Sequence, residues 1–200
     1  VLSRKRTNLL EKEGSIDPKD YLSTGSALLN LGVSDRVDGG FVRGGYYWLV
    51  GDSDTGKSWL TLSCLAEAAR NPIYDDYTFI HDNAEGGALM DIAKYFGKRV
   101  KERLVMPSKA GPSATVEQLY FNLYRAAIKG PFIYILDSFD ALSSDQEAKK
   151  YQERLAAISK GKEVKGEMTD GKAKRNSSGL RQTLALLRDT KSLFIAISQT

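Results

Sequence analysis

The sequence predicts an α/β fold, with a mainly parallel central sheet and helices on both faces. Three observations point there. Short apolar runs alternate with stretches of helical periodicity along most of the chain. The runs are continuously apolar, as strands covered on both faces are. The run Tyr46–Val50 leads directly into Gly51-Asp52-Ser53-Asp54-Thr55-Gly56-Lys57-Ser58, which fits the phosphate-loop pattern G-x-x-x-x-G-K-[ST] at every fixed position.

In chain order, residues 1–20 are polar and charged, with Arg4-Lys5-Arg6 followed by Asn8-Leu9-Leu10-Glu11-Lys12-Glu13. They are expected to form a short helical arm outside a core that spans 21–200. Tyr46, Tyr47 and Trp48 are assigned mostly to packing, because alternate residues of a central strand fill the interior. Residues 59–70 carry apolar side chains at helical spacing, 77–81 read as a buried strand, and 88–96 as a helix closed by Gly97. A short strand at 103–106 leads past Gly111-Pro112 to Thr115, the N-cap of a helix with the apolar stripe Val116, Leu119, Tyr120, Leu123, Ala127 and Ile128. Residues 132–138 are the next strand, ending in Asp137-Ser138. Residues 143–178 break the pattern as a basic polar loop, and a helix around Leu180, Leu184 and Leu187 then delivers the chain to a strand at 192–198. No internal repeat is present.

Two hundred residues suit one domain with a sizeable core. The mixed composition excludes a disordered, collagenous or disulfide-stapled chain. A net charge of +4 and a pI near 9.0 permit a nucleic-acid partner without requiring one. The single cysteine, Cys64, can form neither an internal disulfide nor a cysteine metal site, so a reducing cytoplasm is the expected home. No apolar run approaches the length of a membrane span and no signal peptide opens the chain, so neither insertion nor secretion is expected. The chain opens on Val1 and closes at Thr200 on a strand-like run, so both ends are expected to be trimmed.

The phosphate-loop pattern points to a nucleoside triphosphate. Glycines at both ends let backbone wrap a phosphate, while N–H groups of the loop from Gly51 to Ser58, and of Trp59 at the helix start, face the anion. Lys57 reaches the β- and γ-phosphates, and Ser58 offers a hydroxyl to Mg2+. Asp52 and Asp54 oppose a polyphosphate by like charge unless they turn outward or toward the metal. Asp137 ends an apolar strand, where a carboxylate can hold Mg2+ beside the loop hydroxyl. Asp140 is a weaker second acid, expected to cap a turn. Glu85, in His81-Asp82-Asn83-Ala84-Glu85-Gly86-Gly87, follows another strand and could polarise the attacking water. His81, the one histidine, is expected to be structural. Gln199 follows the last strand, where an amide could touch the γ-phosphate.

Together these features resemble the RecA-like ATPase core shared by RecA-type recombinases, KaiC-like ATPases and DnaB-type helicases. The resemblance covers roughly residues 21–200 and includes the lead-in Ser23-Thr24-Gly25-Ser26-Ala27-Leu28-Leu29-Asn30 and Gly39-Gly40-Phe41-Val42-Arg43-Gly44-Gly45, similar to the family's stretch in which a threonine-glycine pair, a leucine-rich turn and a glycine pair precede the phosphate-loop strand. It implies Mg-ATP hydrolysis, with Glu85 as catalytic glutamate, Asp137-Ser138 as the Walker B ending, Gln199 as sensor and Lys57 as the phosphate-binding lysine. The order of motifs is most similar to RecA-type recombinases, including phage-encoded ones, which implies DNA, single-stranded by preference, as partner and self-association into a filament or a hexameric ring. The first DNA-binding loop of that family falls here between the Asp-Ser strand and the last helix. Residues 143–181 hold ten basic and six acidic residues, a net +4 that equals the whole chain's charge. Lys160, Lys162, Lys165, Lys172, Lys174 and Arg175 are its candidate DNA contacts, and its glycines imply a mobile loop that orders on a phosphate backbone. A ring helicase and a KaiC-like regulatory ATPase acting on proteins are the alternatives.

Overall fold

The computed structural model describes residues 16–87, 90–159 and 171–200. An antiparallel ribbon of β1 (Tyr21–Leu22) and β2 (Phe41–Val42) precedes a five-stranded sheet of β3 (Tyr46–Val50), β4 (Thr78–Asp82), β5 (Leu104–Val105), β6 (Phe132–Leu136) and β7 (Leu193–Ser198). The order is β3-β7-β6-β4-β5, and every pair is parallel. The helices are α1 (Ala27–Ser34), α2 (Lys57–Arg70), α3 (Ile92–Phe96), α4 (Lys98–Arg103), α5 (Val116–Lys129), α6 (Asp145–Ile158) and α7 (Gly171–Asp189).

The chain steps from β3 to β4 to β5 in one direction across the sheet, then returns through β6 to β7. Right-handed crossovers in opposite directions put their helices on opposite faces. The two cores follow this division. Leu62, Leu65 and Ala68 of α2 pack with Phe79, Ile133, Ile135 and Ile195 on one face. Val116, Leu119 and Leu123 of α5 and Leu187 of α7 pack with Ile80, Tyr134, Leu136 and Phe194 on the other. Successive strand residues thus feed alternate cores, which is why β6 is buried at all five positions.

Thr115 caps α5 as expected, accepting the Gln118 N–H on Oγ1 at 3.3 Å. The predicted stripe of α5 holds for Val116, Leu119, Leu123 and Ala127, but Ile128 is exposed and Ala126 is buried in its place. Of the predicted helix 88–96, Ala88 and Leu89 lie outside the described residues, and the observed α3 begins at Ile92, capped by Asp91. Helix α4 was not predicted. Its only buried residue is Val100, so it carries no apolar periodicity to read.

Three expectations are corrected. The strand β3 is an edge strand among the described residues, pairing with β7 alone, so Tyr46 and Val50 are exposed. Tyr47 still packs, with its ring 4.3 Å from Phe41, and Trp48 meets Phe139 edge-on at 4.9 Å. The lead-in that reads as a leucine-rich turn is the helix α1, N-capped by Ser26. The segment expected to be a polar loop is helical over 145–158 and again from residue 171. A capping box of Ser144 and Glu147 starts α6, and its Glu, Lys, Gln and Ala residues favour helix, so local propensity outweighs the lack of apolar pattern. Most of the predicted N-terminal arm, residues 1–15, lies outside the described residues. Among the described residues no helix is long and apolar enough to cross a membrane.

Candidate functional site

Because all five strands are parallel, the turns that follow β3, β4, β6 and β7 gather at one edge of the sheet. The chain leaves β4 toward the α2 face and leaves β6 toward the α5 face, so their loops diverge and open a crevice between neighbouring strands. The loop after β3 is pinned at its start by the Gly51 N–H, which donates to the Ser198 carbonyl at 3.3 Å. At its end Gly56 takes φ 87°, a left-handed conformation that side chains disfavour, and no side chain caps the α2 terminus that follows. The first N–H groups of α2 are therefore left for another acceptor. Lys57 is folded back over the loop, its Nζ donating to the carbonyls of Gly51 and Asp52 at 2.7 and 2.5 Å.

A cavity of about 380 Å3 opens at this edge. Ser53, Asp54, Thr55, Gly56, Lys57, Ser58 and Trp59 form one wall, and Glu85, Asp137 and Gln199 another. The structure thus brings together the predicted residues of four separate segments. Gly51 and Asp52 do not line it. Asp52 is exposed and its carboxylate accepts the Thr200 hydroxyl, so of the two loop acids only Asp54 meets the cavity. Gly87, Met90 and Ile197 also line it, and nothing in their residue types marked them beforehand.

The loops are tied to one another. The Glu85 N–H donates to the Asp137 carbonyl at 3.0 Å, and the Asp137 N–H donates to the Asp82 carbonyl at 2.8 Å. The Gln199 amide donates from Nε2 to Glu85 Oε1 at 3.4 Å, while its backbone N–H donates to Asp140 Oδ2 at 2.7 Å. Asp140, expected only to cap a turn, therefore fixes the backbone that carries Gln199. The peptide bond between Asp137 and Ser138 is cis.

Asp137 is 4% exposed, and its Oδ2 has no hydrogen-bond partner. It faces His81 Nε2, also without a partner, at 4.0 Å, beyond hydrogen-bonding distance. Burial pushes the His81 imidazole below its ordinary value of 6.5, against the opposing pull of the Asp137 and Asp82 carboxylates. Among the described residues no group of three or more His, Cys, Asp or Glu side chains could cage a metal ion. Magnesium needs none, since it keeps several waters and takes one or two protein oxygens with phosphate oxygens. Ser58 and Asp137 line the same cavity, which gives two protein oxygens of the kind that requirement calls for.

The end of β4 carries a polar cluster that sequence reasoning missed. Asp82 is fully buried and accepts the Tyr134 hydroxyl at 2.5 Å and the Ser113 N–H at 2.8 Å. Asn122 donates to Ser113 Oγ at 3.0 Å. Burial, and then the Asp82 carboxylate, push the Tyr134 phenol well above its ordinary value. The cluster fixes the end of β4, whose carbonyl holds Asp137. Its members come from three distant segments, so no spacing rule could have joined them.

Of the candidate DNA contacts, Lys160, Lys162 and Lys165 lie outside the described residues, as does the side chain of Lys174. Lys172 sits 4.6 Å from the Phe139 ring centroid and donates to the Asp140 carbonyl at 3.4 Å. Arg175 pairs through Nε with Glu117 at 3.4 Å, with its side chain 62% exposed. The start of α7 therefore rests on the turn Phe139–Ala141, the same turn whose Asp140 holds Gln199.

No protein-family model matches the chain, and no curated protein matches it.

Proposed function

We propose that this chain is a RecA-like, P-loop ATPase core that hydrolyses Mg-ATP and couples nucleotide state to DNA, as a recombination or repair protein. The observation that carries it is the convergence of Lys57, Ser58, Glu85, Asp137 and Gln199 on one cavity at the carboxyl edge of a parallel sheet. The α2 N-terminus and loop amides receive the polyphosphate, and Lys57 exchanges its two loop carbonyls for phosphate oxygens. Ser58 and Asp137 would hold Mg2+, which would supply neutralising charge on the phosphates. Glu85, with one oxygen on Gln199, keeps the other to orient water and take its proton. Gln199 registers the γ-phosphate in this reading, which its amide contact with Glu85 and its backbone contact with the Phe139–Ala141 turn support.

That turn also carries the start of α7, so a shift at Gln199 has a direct contact path to Lys172 and its basic neighbours. This contact path supports a link between ATP and DNA, while the preference for single strands and the filament or ring rest on the resemblance alone. The test is ATP hydrolysis with and without single-stranded DNA at low and high salt, for the wild type, Glu85→Gln and Lys57→Ala. Stimulation by DNA that falls steeply with salt is expected, through counterion release, with hydrolysis lost in both variants and nucleotide binding lost only in Lys57→Ala. Hydrolysis indifferent to DNA would refute the coupling and favour a regulatory ATPase acting on proteins.

A further inference from the structure

Trp59 stands where two cavities meet. The first is the phosphate cavity already described. The second, of about 600 Å3, lies beside the same loop and is walled by Leu29, Trp48, Val50, Trp59 and Leu60. Thr55, Gly56, Lys57 and Trp59 line both, so loop and indole form the partition between them. One side offers a lysine, a hydroxyl and helix-terminal N–H groups, and the other offers mainly hydrocarbon and aromatic surface. A ligand with an anionic end and a flat, weakly polar end matches the pair.

The indole is held in place and still open. Its ring packs 5.2 Å from Tyr95 and 4.9 Å from Phe96, yet Trp59 remains 45% exposed. An aromatic surface whose rotamer is already fixed loses little entropy on stacking a second ring. Trp59 is also the third residue of α2, so its backbone N–H belongs to the helix-terminal donors that face an anion, whatever its side chain.

We propose that the Trp59 indole stacks the nucleobase of the bound nucleotide and that the apolar cavity beside it is the base and ribose site. The inference rests on the nucleotide reading given above. It divides the work of one residue, since the backbone serves the phosphates and the side chain serves the base. Substitution removes only the second.

The test is titration calorimetry of wild type, Trp59→Ala and Trp59→Phe with Mg-ATP and, separately, with Mg-tripolyphosphate, which has the phosphates and no base. ATP should bind wild type more tightly than tripolyphosphate. Trp59→Ala should weaken ATP about tenfold, the scale of base stacking on an aromatic side chain, and leave tripolyphosphate within about twofold. Trp59→Phe should restore most of the lost ATP affinity. Equal losses for both ligands would overturn the proposal by reducing Trp59 to a support for the loop. An unchanged ATP affinity, or a wild type that binds the two ligands equally, would put the base elsewhere while leaving the phosphate site intact. If wild type binds neither ligand, the nucleotide reading and this proposal fall together.

Discussion

Gly179→Ala tests how the basic helix α7 is docked. An ideal Cβ at Gly179 would lie 2.2, 2.4 and 2.5 Å from Cδ2, Cε2 and Cγ of the Tyr120 ring on α5. The ring cannot simply swing away, because its hydroxyl donates to Asn176 Oδ1 at 2.6 Å and its body packs on the α5 face of the sheet. Forcing a methyl into such a contact costs about 1–3 kcal/mol. Alanine in place of glycine within a helix returns about 1 kcal/mol. The net expectation is a loss of about 1 kcal/mol. In a Tyr120→Ala background the obstacle is gone and only the propensity gain remains, so the same substitution should stabilise by about 1 kcal/mol. The sign reversal amounts to a coupling of about 2 kcal/mol in a double-mutant cycle. Urea unfolding followed by far-UV circular dichroism, with a common m-value, would measure it. A Gly179→Ala change that stabilises both backgrounds equally would refute the packing of α7 on Tyr120, and with it the seating of Lys172 against the Phe139–Ala141 turn.

Two further outcomes follow from the buried polar groups. Asp82→Ala should destabilise by roughly 3 kcal/mol, because it strands the Tyr134 hydroxyl and the Ser113 N–H, each at about 1–3 kcal/mol. Adding Tyr134→Phe should recover part of that loss, and strict additivity in urea unfolding would rule out the shared hydrogen bond. For His81 the lowered folded-state value means the unfolded chain binds the proton more readily. Its contribution is therefore complete above the ordinary value of 6.5 and is lost as pH falls from there toward the folded value. Unfolding free energies measured between pH 8 and pH 5, as an approximate range, should decline on the acid side, and His81→Asn should flatten that decline. A decline of the same steepness in the variant would exclude the imidazole as its source.

Cys64 illustrates a residue whose chemistry the fold removes. Its side chain is buried against the Thr24 carbonyl, and burial pushes the thiol up to about 12. The sequence could exclude a disulfide but not reactivity. The lead-in around Thr24 explains itself in the same way. Thr24 is fully buried and bonds Asn30 Oδ1 from both its N–H, at 2.9 Å, and its hydroxyl, at 2.7 Å. The Thr-Gly pair thus belongs to the packing that seats α1 and β1 on α2.

The sequence by itself determined the layered class and which candidate residues share one edge of the sheet, for a physical reason. Continuous apolar runs must be buried on both faces, which forces parallel strands, and parallel strands put Gly51, Glu85, Asp137 and Gln199 just beyond the same edge. Strand order was not legible, because the apolar run of β3 reads alike at an edge or in the centre, and the open side of Tyr46 and Val50 appears only once the neighbours are known. Nor were the helical state of 145–158, which carries no buried residue, or the Asp140 bond to Gln199. Contacts such as Asp82 with Tyr134, and Trp59 with Tyr95 and Phe96, join segments far apart in the chain. Only the tertiary structure decides them, since packing answers to distance in space and periodicity reports only the face a residue presents.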